Sequence, residues 1–259
     1  ADNYSLDFDA DILTLGGTVE LGLTVGSFSA TVDGSFLFEQ SAGKLLVCIQ
    51  DAGMTVEAGD IALNITDVDG LFAIYEDTDA DVDTDGTLAM QLSVGGVSIT
   101  GITGFTFSVS NFFLKINNTG GAVEESFDFD GDPDTEEDAY SLDFEDDLLS
   151  LGGTIEVGIT AGSVTTSLTG SLFFEQASVD PDGEADSGDE YEMIQVSITD
   201  GSLVLDAGAA LTISDVNGAF VITDAGSAGK LSVGSVAFTG VPAFGLEVSD
   251  FYLEFNNTG

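Results

Sequence analysis

The sequence predicts an all-β protein made of two tandem, homologous, antiparallel β-sandwich-like domains. Apolar residues recur with period two, as in T-V-E-L-G-L-T-V from Thr18 and F-T-F-S-V-S-N-F-F-L-K-I from Phe105. Extended backbone is the conformation that puts alternate side chains on one face. Gly, Asn, Asp and Ser break these runs about every eight to twelve residues, and no helical period is sustained. Whole segments also return. Y-S-L-D-F of residues 4–8 recurs at 140–144, L-G-G-T of Leu15 at Leu151, F-E-Q of Phe38 at Phe174 and L-S-V-G of Leu92 at Leu231, while N-N-T-G occupies both 117–120 and 256–259.

These recurrences divide the chain into a first β unit, residues 1–120, an acidic connector, 121–139, and a second β unit, 140–259. Each unit has the size of an ordinary domain and is expected to hold about nine to eleven short strands. Two sheets with one apolar face each, packed as a sandwich, fit the alternation best. A β-solenoid or a barrel is the alternative arrangement. The second copy stops at N-N-T-G, where the first copy runs on into its connector, so the chain reads as two links of a longer series.

Along the first unit, an acidic row at Asp7, Asp9 and Asp11 precedes the first period-two runs, and it aligns with Asp143, Glu145 and Asp147 of the second unit. S-F-S-A-T-V-D-G-S-F-L-F-E and L-L-V-C-I-Q continue the strands. Residues 87–114 carry no charge, which raises the question of a membrane span, but their glycines and Ser/Thr alternation favour strands. The glycines at 16–17 and 95–96 do not form a phosphate-binding pattern before a helix and read as turns and bulges. The N-N-T-G segments read as turns closing the last strand of each unit.

Acid dominates the composition. The chain has 47 Asp plus Glu against three basic residues and no histidine, for a formal net charge of -44. Such a chain repels nucleic acid and anionic lipid and attracts cations. With 43% hydrophobic residues it is nonetheless built to fold. The carboxylates cluster in three windows, 76–85, 124–147 and 180–192. In the first, Asp77, Asp79, Asp81, Asp83 and Asp85 alternate; an extended chain sets such neighbours about 7 Å apart, where unit charges repel by roughly 0.6 kcal/mol in water. A hard divalent cation relieves that repulsion, and calcium, which takes six to eight oxygens in flexible geometry, fits better than magnesium. Asp81-x-Asp83-x-Asp85-Gly86 matches the start of an EF-hand loop, but Leu92 stands where its closing Glu belongs. Asp128, Asp130, Asp132 and Asp134 with Glu137, and Asp180, Asp182, Glu184 and Asp186, are comparable runs. Asp7, Asp9, Asp143 and Glu145 complete the expected calcium ligands, placed to stiffen the joint between units.

Catalytic chemistry has little to stand on. Without histidine there is no Ser-His-Asp triad, and Cys48 lacks a base and a disulfide partner. Its counterpart is Ser197, as expected of a small strand residue. Glu39 and Glu175 are the remaining glycosidase-type carboxylates, and the chain has no Trp to stack a sugar.

Paired acidic all-β units of this length, poor in Cys and basic residues, resemble the tandem extender modules of very large bacterial surface proteins, of adhesin or filament type. The likeness lies in architecture and composition. It implies calcium-stiffened β-sandwich repeats with a structural role at the cell surface or outside the cell, joined end to end with further copies. A pair of carbohydrate- or surface-binding modules, with a glycan as partner, is the second expectation. An outer-membrane barrel is the third, disfavoured by two repeated units and by the lack of aromatic girdles. No enzyme activity, nucleic-acid binding or membrane insertion is expected.

Overall fold

The structure is a computed structural model and describes residues 13–41, 43–76, 87–128, 139–179 and 191–258. Its strands are β1 (Leu13–Val25), β2 (Phe28–Ser41), β3 (Lys44–Ala58), β4 (Ile61–Tyr75), β5 (Thr87–Thr100), β6 (Phe105–Asn117) and β7 (Val123–Asp128). There follow β8 (Ala139–Phe144), β9 (Leu148–Ala161), β10 (Val164–Val179), β11 (Tyr191–Asp206), β12 (Ala210–Thr223), β13 (Gly226–Val241) and β14 (Phe244–Asn256). The all-β expectation is met: every regular element among the described residues is a strand. None of them forms a helix long and apolar enough to cross a membrane.

The architecture differs from two sandwiches. Twelve strands form one open antiparallel sheet in the order β1-β2-β3-β4-β5-β6-β9-β10-β11-β12-β13-β14, and β7-β8 is a separate hairpin. The two sequence repeats supply six sheet strands each, and they meet where β6 pairs with β9 from Phe105↔Ile159 to Asn117↔Leu148. The expected short strands are replaced by long ones of 13 to 16 residues. The cause is local. Interruptions that read as turns in the sequence are bulges inside continuous strands.

A line of such bulges crosses each repeat. Asp51 in β3, Asp67 in β4 and Asn111 in β6 have positive φ, and so do Asp200 in β11, Asp215 in β12 and Asp250 in β14. Asp and Asn tolerate this left-handed geometry better than other side-chain-bearing residues. Gly95 in β5 and Gly234 in β13 complete the line, because a Cβ on either would come within 2.7 Å of the Cβ of Asp67 or Asp215. Each bulge inserts one residue and so reverses which parity faces which side. In β4, Val68, Phe72 and Ile74 are even-numbered while Ile61, Leu63 and Ile65 are odd, yet their cross-strand partners place all six on one face. The bulge keeps the apolar face continuous. Gly16, expected at a turn or bulge, lies in regular β1, where Leu37 occupies the space that a Cβ would need.

Pairing therefore sorts the sheet into two chemically distinct faces. One carries Leu, Val, Ile and Phe on every strand; Leu21, Val32, Met54, Ile65, Val97 and Val109 form one row of it. The other carries Ser, Thr, Asn and most of the charge, with hydroxyl pairs such as Thr154–Ser171 at 2.7 Å, Thr169–Ser202 at 2.7 Å and Ser214–Ser235 at 2.9 Å. Such cross-strand pairs add a few tenths to about 1 kcal/mol each. Antiparallel order also sorts the connections. Tight turns such as 26–27, 59–60 and 162–163 lie at one end. The strand ends that flank 76–86, 118–147 and 180–190 all lie at the other, so the three acid-rich connections leave from a single end.

Candidate functional site at the connector hairpin

The paired strands β7 and β8 form a lid. Val123 and Phe127 of β7, with Leu142 and Phe144 of β8, point into a cluster formed with Leu46 and Cys48 of β3, Leu71 and Ala73 of β4, and Ala89 of β5. Small side chains at 48, 73 and 89 make the hollow, and the hairpin's large ones fill it. This is the principal apolar core among the described residues. Y-S-L-D-F at 140–144, counted by sequence with the second unit, thus packs on strands of the first. The covered patch lies on the otherwise polar face, since Leu46, Cys48, Leu71, Ala73 and Ala89 share parity with Lys44 and Asp69.

Polar contacts ring the core. Lys44 Nζ donates to Glu125 Oε2 at 2.6 Å, and the Tyr75 hydroxyl donates to Glu125 Oε1 at 3.0 Å. The Tyr140 hydroxyl donates to Asp69 Oδ1 at 3.1 Å, an oxygen that also accepts the Asp51 N–H at 2.9 Å. Burial, followed by the charge of Asp69, pushes the Cys48 thiol up to about 12. Burial, followed by the Glu125 hydrogen bond and charge, raises Tyr75 to about 12. Tyr140 is also raised, by burial first and then by the charge of Asp69. All three groups are held protonated, which keeps the Cys48 thiol away from the thiolate form. A groove of about 190 Å³ beside Tyr140 is lined by Asp69, Gln91, Ser93 and Ser141.

N-N-T-G is the hinge clamp of this lid. Asn117 is buried, and its Nδ2 donates to Gly121 O at 2.7 Å and to Asp146 O at 2.8 Å, tying the two ends of the hairpin together. Its Oδ1 accepts the Thr119 N–H at 3.2 Å and the Thr119 hydroxyl at 2.8 Å. The Gly120 N–H reaches Asp147 Oδ1 at 2.8 Å. The same turn recurs at the end of β14, where Thr258 donates from its N–H at 2.9 Å and its hydroxyl at 2.8 Å to Asn256 Oδ1. The Asn117 side chain is thus buried with both its nitrogen and its oxygen hydrogen-bonded.

Of the expected calcium ligands, Asp143 in β8 and Glu145 just after it are described, and both are exposed. They flank a shallow groove with Asp146 and Asp147, but no group of three or more Asp, Glu, Cys or His side chains converges on a metal position among the described residues. Asp128 ends β7, and nothing is described of its side chain. Asp7, Asp9, Asp77, Asp79, Asp81, Asp83, Asp85, Asp130, Asp132, Asp134, Glu137, Asp180, Asp182, Glu184 and Asp186 lie outside the described residues. Glu39 and Glu175 stand on the polar face, opposite Leu46 and Gln195 respectively.

The sequence reading missed the lid and the bulge line. Signals for both were present: D-V-D-G at 67–70 answers D-V-N-G at 215–218, and V-E-E-S-F-D at 123–128 alternates like a strand. Neither the chain's sequence nor its fold matches a known family model, a curated protein or a solved structure.

Proposed function

We propose that the chain is a non-catalytic structural module of a secreted surface protein or extracellular filament, working in series with further copies through strand pairing. The supporting observation is the β6–β9 junction, where two repeats join as one sheet over the full strand length. The outermost strands of the sheet among the described residues, β14 and β1, are the sequence counterparts of β6 and β9. Placed in the β6–β9 register, Leu253 of one copy faces Leu15 of the next, and Tyr252 faces Gly16. In the existing junction Phe113 faces Gly152, with its ring 2.7 Å from where a Cβ would be. Exposed Tyr252 would there meet Leu37, which lies over Gly16, as Phe113 meets Phe173 in the existing junction. Contacts of this head-to-tail kind propagate.

Sedimentation velocity across a concentration series tests the proposal. Species should lengthen without a fixed size, and Val248→Pro, which removes a donor from β14 and breaks its edge, should abolish the growth. A fixed size at every concentration overturns the series reading. Calcium in the acidic connections is part of the same proposal. Because a cation that binds only the ordered state stabilises by mass action, chelation should lower Tm by several degrees, and calcium should restore it more fully than magnesium. An unchanged Tm at fixed ionic strength removes calcium from the account.

A further inference from the structure

Among the described residues, nothing covers the apolar face of the sheet. Twelve strands of about 13 residues make a face of roughly 2,300 Å² at standard strand spacings, several times the largest apolar patch of an ordinary monomer, about 300–600 Å². Leu21 is 66% exposed, Leu168 51%, Leu172 45% and Leu253 48%, all on this face. Among charged strand residues placed by the pairing, Glu192 alone shares the face, at its acidic end beside Gln176. Glu20, Glu57, Asp69, Lys115, Glu156 and Glu247 all stand on the other side.

We propose that this face is the interface between two copies of the chain, packed apolar side to apolar side as a two-layer sandwich about a two-fold axis. Area supports it: burying both faces removes on the order of 4,500 Å², within the range of obligate homodimers. Relief supports it too. Gly70 lies beside the Phe72 ring, and Gly218 and Gly229 lie on either side of the Phe220 ring, so rings project next to hollows. Facing sheets interdigitate through such relief about 10 Å apart. Composition argues against hydrocarbon as the cover. Tyr and Trp mark membrane–water boundaries on lipid-facing barrels; the chain has no Trp, and Tyr75, Tyr191 and Tyr252 lie on the polar side while Tyr140 is in the hairpin. With acid-rich connections at one end of each sheet, an axis perpendicular to the strands sets the two acidic ends apart. Sheet-on-sheet pairing of this kind supplies the second layer that the alternating sequence leads one to expect.

The face is tested in a Glu247→Pro chain, which breaks the β14 edge from its polar side, so that edge addition cannot supply the mass. Sedimentation equilibrium should give twice the 26.6 kDa chain mass, and added salt should tighten the pair by screening its charge. Leu172→Glu, which buries an unpaired charge, should weaken the pair about a hundredfold or more, with circular dichroism unchanged; Thr24→Glu on the polar face should not. Should Leu172→Glu fail to fold, small-angle scattering of the parent decides: a two-layer cross-section upholds the proposal and a single layer overturns it. A single copy that floats with phosphatidylcholine vesicles overturns it in favour of lipid. A single copy that stays in solution overturns it outright. Open-ended growth of the chain without Glu247→Pro is judged separately, so edge pairing and face pairing stand or fall independently.

Discussion

Asp215 and Gly234 work as a pair, one taking positive φ and the other leaving room for it. Gly234→Ala is expected to destabilise the chain by about 1–3 kcal/mol, the usual cost of overpacking a close contact, whereas Asp215→Gly should cost less because glycine accepts the same φ. Urea unfolding of the two variants checks the order. Asn117 offers a second comparison inside one molecule. Asn117→Ala removes the donor to the Gly121 and Asp146 carbonyls in a part-buried setting, at about 0.5–1.5 kcal/mol for each hydrogen bond lost. Asn256→Ala, at an exposed copy of the turn, should cost clearly less. The turn itself was legible, since N-N-T-G occurs twice. Burial of one copy was not, because it depends on Asp146, a residue that reads only as acid. The bulge Asp residues were misread for a related reason: Asp next to Gly marks a turn as readily as a bulge, and only the change of parity across Val68 and Ile65 separates the two.

At the scale of elements, the hairpin is the feature that sequence reasoning placed wrongly in kind. Its charge suggests a spacer, but Phe127, Leu142 and Phe144 make it a cover for β3–β5. Alternation within six residues is too short a signal to stand against a run of acid. Leu142→Ala should cost about 2–5 kcal/mol of lid closure, and it should expose Cys48, so that a thiol reagent that barely reacts with the parent labels the variant rapidly under native conditions. Equal labelling rates would show that the lid does not protect the thiol. The lid also has a pH dependence. Cys48 and Tyr75 have ordinary values of 9.0 and 10.0 and are each raised to about 12. With folded-state values raised, the open chain loses these protons first. Their contribution to stability is therefore complete below about pH 9 and is lost as pH rises towards 12. Thermal melts should hold steady from pH 7 to about 9 and then fall. A Tm that rises over that interval contradicts the assigned environment.

Across the whole molecule, the all-β class and the six-strand repeat were legible because alternation and duplication are written directly in the residues. The single sheet was not. Whether two repeats fold apart or join is decided by the edges of β6 and β9, and nothing in F-T-F-S-V-S-N-F-F-L-K-I distinguishes an edge strand from an interior one. The charge acquires a geometry that composition alone lacks: with acid-rich connections at one end and an almost charge-free apolar face, copies can pair by face with those connections apart, while edge addition in the β6–β9 register sets them along one common end. Both proposed contacts require that the repeats form one continuous sheet. Amide hydrogen exchange in dilute solution tests that requirement most directly. The account predicts that β6 (Phe105–Asn117) and β9 (Leu148–Ala161) exchange as slowly as interior strands β4 and β12, while β1 and β14 exchange fast and become protected as concentration rises. Fast exchange in β6 and β9, matching that of β1 and β14 at every concentration, would mean two separately folded units and would contradict it.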